Sequence, residues 1–238
     1  MVISSASVYR DARGRTLDEA EANGFPDFPI PIDEDQPTVA PGPQTYSTRK
    51  VALEQALLQN AQRPVTILRP GAIYGVGSRH PREWWFVRRI LDGRLAVPLA
   101  WNGQSRFHAS ATANIAELIA IILAAPANRV LNAADPEALT VTAIGNAVSE
   151  FYNHDWRMVP FEGPPRGAVG RSPWAIPLPI VLDMARAEAL GYRPVTRYRD
   201  AIGEACASAE VAARAGIAFP DYLMKMFNYA AEDAFLAR

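Results

Sequence analysis

The chain has 238 residues, 49% hydrophobic and 21% charged, enough to bury a substantial core in one or two domains. Its net charge of -1 and pI near 6.3 offer no electrostatic attraction to nucleic acid or to an anionic membrane, and neither is an expected partner. The single cysteine, Cys206, excludes an intrachain disulfide and suits a reducing cytoplasm; no stretch reaches the roughly 18 apolar residues of a membrane span, and the start turns polar too soon for a signal peptide.

Val2 and Ile3 open a short apolar strand that runs into the serine-rich turn Ser4-Ser5-Ala6-Ser7 and on to Val8-Tyr9. That is where an α/β fold exposes side chains at the carboxyl edge of its sheet. Residues 10–45 are polar, acidic and proline-rich, too long for an ordinary connection, and read as a functional or partner-facing loop. Within it, Asp33 and Glu34 are expected as solvated charges.

A helix is expected over residues 45–62, with Val51, Leu53, Ala56, Leu57 and Leu58 available for burial. It carries Tyr46 and, four residues on, Lys50, one of two lysines among 24 Lys+Arg, the other being Lys225. Chance placement gives about 0.07 such pairs, so the spacing is informative. On a helix the two side chains share a face. An ammonium there favours phenolate and lowers a tyrosine pKa towards working pH, which makes Tyr46 a candidate general acid/base. A strand over 65–69 then ends in Pro70-Gly71, completing strand, helix and strand as a βαβ unit requires.

The cluster from Gly71 to Ser78 has neither the dinucleotide fingerprint nor the lysine of a phosphate loop. A helix follows over 83–92, where packing is the favoured role for Trp84 and Trp85. Thr112 is expected to cap a helix reaching residue 124, before a strand at 130–133 and a helix at 140–153. Residues 160–179 are broken by prolines; helices are expected near 181–190, 198–215 and 221–235. Cys206, among alanines, reads as a small core residue. His80, His108 and His154 are scattered without ligand spacing, so no metal site is expected.

Four motifs in order resemble the extended branch of the short-chain dehydrogenase/reductases, the NAD-dependent epimerase/dehydratase family. A Ser-Ser-x-x-Val-Tyr strand end, an acidic-Pro loop, Tyr-x-x-x-Lys and Leu-Arg-Pro-x-x-x-Tyr-Gly look like Ser4 to Tyr9, Asp33 to Pro37, Tyr46 to Lys50, and Leu68 to Gly75. The likeness covers roughly residues 2–205. It implies an α/β fold: the carboxyl-terminal half of a Rossmann-like, doubly wound parallel sheet, with a smaller α/β substrate domain. Residues 1–77 would belong to the cofactor domain and 78–238 mainly to the substrate domain, with about 106–135 returning to the sheet.

The resemblance also implies roles. Ser5, Tyr46 and Lys50 would be catalytic: Ser5 polarises the reacting oxygen, Tyr46 moves the proton, and Lys50 holds the nicotinamide ribose. Ser4, Tyr46, Lys50, Pro70, Gly71, Ala72 and Ile73 would border NAD or NADP. Ser5, Ala6, Ser7 and Arg106 would meet the substrate, with Arg106 set against phosphate if that substrate is a nucleotide sugar. A homodimer is left open.

Three departures stand out. The strand, Gly-x-x-Gly-x-x-Gly turn and helix that seat the pyrophosphate are not in this sequence; Arg10 replaces a common glycine; and Asn114 stands near a common aspartate. Two readings therefore stay open: an epimerase/dehydratase-type oxidoreductase acting on an alcohol or ketone carbon, or a truncated, cofactor-free remnant that is inactive alone or serves as a protein-interaction module. Ala6 and Ser7 offer none of the acidic groups a dehydratase adds beside the serine.

Overall fold

The structure, a computed structural model, describes residues 1–237. In chain order the first elements are β1 (Val2–Ile3), α1 (Ala20–Asn23), α2 (Tyr46–Asn60), β2 (Thr66–Pro70), β3 (Ala72–Tyr74), α3 (Trp84–Leu91), β4 (Ala96–Leu99), β5 (Ala109–Ala111) and α4 (Thr112–Ala124). They are followed by β6 (Arg129–Ala133), α5 (Val141–Tyr152), β7 (Arg157–Pro160), α6 (Ala185–Ala189), α7 (Tyr198–Arg214), α8 (Asp221–Met224) and α9 (Tyr229–Leu236). Two compact units result. The first comprises Met1–Ile73, His108–Glu137 and Leu178–Thr196; the second comprises Tyr74–Phe107, Ala138–Pro177 and the segment from Arg197 onward.

The first unit is built on a parallel sheet of order β1-β2-β6, with Val2 opposite Ile67 and Thr66 to Pro70 opposite Arg129 to Ala133. Every β2 residue is buried, as a central parallel strand covered on both faces demands. Helix α4 lays Ile115, Leu118 and Ile122 in the same core as Leu68 and Leu131. Thr112 does not cap this helix: Ala111 is the N-cap, without a side-chain bond. Asp135, at the end of β6, supplies the acceptor instead, its Oδ1 taking Ala111 N–H and Asn114 Nδ2, both at 2.8 Å. Asn114 in turn accepts from the N–H groups of Val195 and Thr196, which gives this departure from aspartate a structural role.

Helix α2 starts at a reciprocal Thr45/Thr48 capping box and buries only Ser47, Val51 and Glu54. Leu53 and Leu58, available for burial by their hydrophobicity, stay 39% exposed. The stripe that meets the sheet is the one carrying Glu54, whose carboxylate accepts from Arg69 Nε at 3.1 Å and Nη2 at 2.6 Å; this turns the leucines outward.

Residues 10–45 are fastened rather than loose. Asp11 is buried and accepts from the N–H groups of Arg13, Arg15 and Asp27 and from the Arg15 guanidinium. Burial alone would raise its pKa; these donors outweigh it and hold the carboxyl at about 2. Asp33 remains exposed and closes a turn, accepting from Asp35 N and Gln36 N. Glu34 is not solvated as expected. It is buried, accepts Asn132 N at 2.7 Å on the outer edge of β6, and has its pKa raised by burial. Asn132 Nδ2 bonds Ile32 O and Asp183 O, and Tyr9 Oη donates to Asn132 Oδ1, so loop and side chains cover a sheet edge that would otherwise be open. Leu182 forms a bridge with Ile32, which cuts the helix expected at 181–190 down to α6.

In the second unit α3 buries Trp84, Trp85 and Phe86, and β4 pairs in parallel with β7. Cys206 is buried, and burial pushes its thiol pKa up. The single helix expected at 221–235 is two: Asn228 interrupts it and caps α9 through Ala231 N.

Candidate functional site

At the carboxyl end of β1, Ser4 N donates to Leu68 O at 2.7 Å, extending the ladder by one residue. Ser5 then caps a one-turn 3-10 helix (Ala6–Val8), its Oγ accepting Ser7 N at 3.1 Å. Helix α2 is pinned to that turn: Ser47, fully buried, donates its hydroxyl to Ser7 O at 2.8 Å and lies 3.0 Å from Ser7 Oγ. Its own N–H is taken by Asp18 Oδ2 at 2.8 Å. An exposed carboxylate from the long loop thus meets the positive end of α2.

The pinned turn of α2 carries Tyr46, 48% exposed, and Lys50, whose Nζ lies 5.5 Å from the Tyr46 ring centroid and donates to Ile3 O at 3.1 Å. Ser5, Tyr46 and Lys50 are therefore gathered at one end of β1. Ser4 is buried, and its Oγ has no hydrogen-bond partner among the described residues. Ala6 is buried, and Ser7 is half-buried with its carbonyl and hydroxyl both engaged by Ser47.

The end of β2 forms a second wall. A Cβ at Gly71 would sit 2.2 Å from His108 O, so only glycine fits. Gly71 N donates to Ser110 Oγ at 2.9 Å and Ala72 N to His108 O at 2.8 Å, so both amides are already used. Pro70 and Ala72 are buried and Ile73 half-buried. His108 beneath them is a core residue: Nδ1 accepts Leu182 N, which leaves Nε2–H to donate to Asp135 O, and burial pushes its pKa down to about 4. In the second unit Arg106 is exposed and donates to Ala138 O at 3.0 Å.

Sequence reasoning misses Ser47 and Asp18. Ser47 stands beside a recognisable tyrosine without a signal of its own, and Asp18 lies in a loop where acidic residues are frequent. Among the described residues no three His, Cys, Asp or Glu side chains form a metal cluster, and no helix is long and apolar enough to cross a membrane.

No protein-family model and no curated protein matches the chain. Solved structures do. MoeE5 in complex with UDP-glucose and NAD aligns at TM-score 0.60 and 18% identity, over 89% of this chain and 64% of that one. UDP-glucose 4-epimerase from Thermus thermophilus in complex with NAD aligns at 0.60 and 17%, over 87% and 62%. DesIV, a dTDP-glucose 4,6-dehydratase from Streptomyces venezuelae, aligns at 0.58 and 21%, over 88% and 59%. The chain thus spans less than two thirds of each of these structures, and over the aligned part it shares their α/β fold, a partial Rossmann-like one.

Proposed function

We propose that this chain carries the proton-transfer and nicotinamide-ribose end of an NAD(P)-dependent oxidoreductase of the extended short-chain dehydrogenase/reductase family, acting on an alcohol or ketone carbon of a nucleotide sugar. The observation that carries the reading is Lys50 reaching the end of β1 beside a half-exposed Tyr46, on a helix bonded to the turn that holds Ser5. The solved neighbours support it by what they contain: UDP-glucose and NAD in MoeE5, NADPH in RMD from Pseudomonas aeruginosa.

The residues present fit the nicotinamide riboside. Ser4 offers a buried hydroxyl without a partner, and Lys50 has donors to spare beyond its bond to Ile3 O. They do not fit the pyrophosphate, because the 238 residues contain no glycine-rich strand-to-helix turn. When bound, NAD(P) exchanges a hydride with the substrate carbon. Tyr46 then takes or returns the proton of the adjoining hydroxyl. Ser5, whose Oγ accepts from Ser7 N, keeps its own proton to donate to the reacting oxygen. Lys50 holds the ribose hydroxyls and sets a positive charge opposite the one Tyr46 acquires on giving up its proton. The backbone of Pro70 to Ile73 borders the nicotinamide, and Arg106 answers substrate phosphate. Ala6 and Ser7 carry no acid, which favours oxidoreduction or epimerisation over dehydration.

A second reading, an interaction module without cofactor, is favoured by one feature only: α2 leaves Leu53 and Leu58 facing out. Titration with NADH and NADPH, followed by nicotinamide fluorescence, separates the two. Saturable binding by the chain fused to a glycine-rich dinucleotide-binding half, and none by the 238 residues alone, is expected. Binding by neither overturns the enzyme reading.

A further inference from the structure

The second unit contains a cavity of about 540 Å3 between α7, residues 217–221 and the loop 75–81. Three features suggest a built site. Helix α7 turns Ala205, Ala209 and Ala212 towards it, positions that share one helical face and where leucines would fill the space. Phe219 forms one wall and is fixed edge-on against Trp84, with ring centroids 5.0 Å apart. Gly77, at φ 73, donates its N–H to Ser208 Oγ at 2.9 Å and so braces the loop against the helix. Ile217, in the lining, is 60% exposed and gives the cavity an apolar rim.

The polar side of the cavity is rich in donors. Ser208 Oγ accepts from Gly77 N and Ser78 Oγ from His80 N, so each hydroxyl keeps its proton to give. Arg79, in the same lining, is exposed and has neither an ion pair nor a hydrogen bond among the described residues. The carboxylate in the lining, Asp221, stands at the first position of α8.

We propose that this cavity binds a medium-chain monocarboxylate, its straight acyl body along the alanine face of α7 and its carboxylate at Arg79, Ser78 and Ser208. A guanidinium flanked by hydroxyl donors matches a carboxylate. The volume lies in the range of small-molecule sites. The proposal does not depend on the proposed catalytic function.

Isothermal titration of the 238-residue chain with hexanoate, octanoate and decanoate, below their micellar concentrations, tests this. Saturable binding at one site is expected, tightening about fourfold per added methylene. Decanol, with a comparable body and no charge, is expected to bind at least about tenfold more weakly. Arg79→Glu should reduce decanoate to the level of decanol without changing decanol. Ala212→Phe, on a half-exposed part of α7, should weaken both while far-UV circular dichroism stays unchanged. Absence of saturable binding, equal affinity for decanoate and decanol in the unaltered chain, or insensitivity to Ala212→Phe overturns the proposal. So does displacement of decanoate by UDP-glucose or NADH, which would make the cavity part of the catalytic site.

Discussion

The two units bury charge in different ways. In the first, several buried polar groups tie distant segments together: Glu54 to Arg69 on β2, Glu34 to Asn132 on β6, Asp135 to Ala111 at the start of α4. These bonds are directional, and one of them, Glu54 with Arg69, joins the Ser47–Ser7 bond in holding α2. In the second unit Arg89 is wholly buried, donates to Trp85 O at 2.7 Å and pairs with Glu232. The ring centroids of Trp85 at 3.7 Å and Phe227 at 4.7 Å cage it. That cage closes α9 onto α3 through packing. Orientation governs the unit that carries the candidate chemistry, whereas coverage governs the other.

Removing the carboxylate from each arginine is the strongest way to break this comparison. Glu54→Ala and Glu232→Ala each leave a buried guanidinium without its anion, at a cost of about 3–5 kcal/mol. All five tryptophans, Trp84, Trp85, Trp101, Trp156 and Trp174, lie in the second unit, so fluorescence follows that unit while far-UV circular dichroism follows both. In urea, Glu232→Ala should move the fluorescence transition, and Glu54→Ala a dichroism phase that fluorescence does not see. If Glu54→Ala moves the fluorescence transition, or Glu232→Ala moves the dichroism phase that fluorescence does not see, the units unfold as one block and their distinction loses its thermodynamic meaning.

A smaller effect sharpens the role of orientation. Ser47→Ala removes the bond to Ser7 from a fully buried position and should cost about 1–2 kcal/mol by urea denaturation. A loss below the error of the measurement would mean that α2 is held by Glu54 alone.

The smallest expected effect is one of sign. His108, in the first unit, titrates at about 4 when folded against 6.5 when unfolded, so its contribution is complete above pH 6.5 and lost as pH falls towards 4. Glu83, in the second unit, has its pKa raised above 4.5 by burial, so its contribution is complete below pH 4.5 and lost as pH rises through the folded value. Glu34 partly offsets His108 in the first unit. Between pH 6.5 and 4.5 acid should therefore weaken the first unit and strengthen the second. His108→Gln should flatten one response and Glu83→Gln the other, measured as midpoint against pH by the two probes. Parallel slopes in both variants would contradict the assignment.

The order of strand, turn, helix and strand was legible because short spacings carried it. Tyr46 and Lys50 sit one helical turn apart, and Ser5 lies next to a strand end. The parts that were not legible depend on partners distant in sequence. Glu34 looks like a loop charge because the amide it accepts, Asn132, arrives from β6. Thr112 has the chemistry of a cap, but Asp135 already stands at the helix end. Hydrophobicity marks Leu53 and Leu58 as available for burial without deciding which stripe of α2 meets the sheet; the ion pair of Glu54 with Arg69 decides it. Strands β4 and β7 are four residues each and exist through one another, which no local pattern reveals.

Tyr46 as the proton-transfer group, supported by Lys50, is tested most directly by single-turnover reduction of bound NAD in the chain fused to a glycine-rich dinucleotide-binding half. UDP-glucose and dTDP-glucose are supplied as test compounds, and NADH absorbance is followed for the unaltered chain, Tyr46→Phe and Lys50→Met. A fall of at least about a hundredfold in both variants, with secondary structure unchanged, is the predicted result. Variants that reduce NAD at the unaltered rate would contradict it.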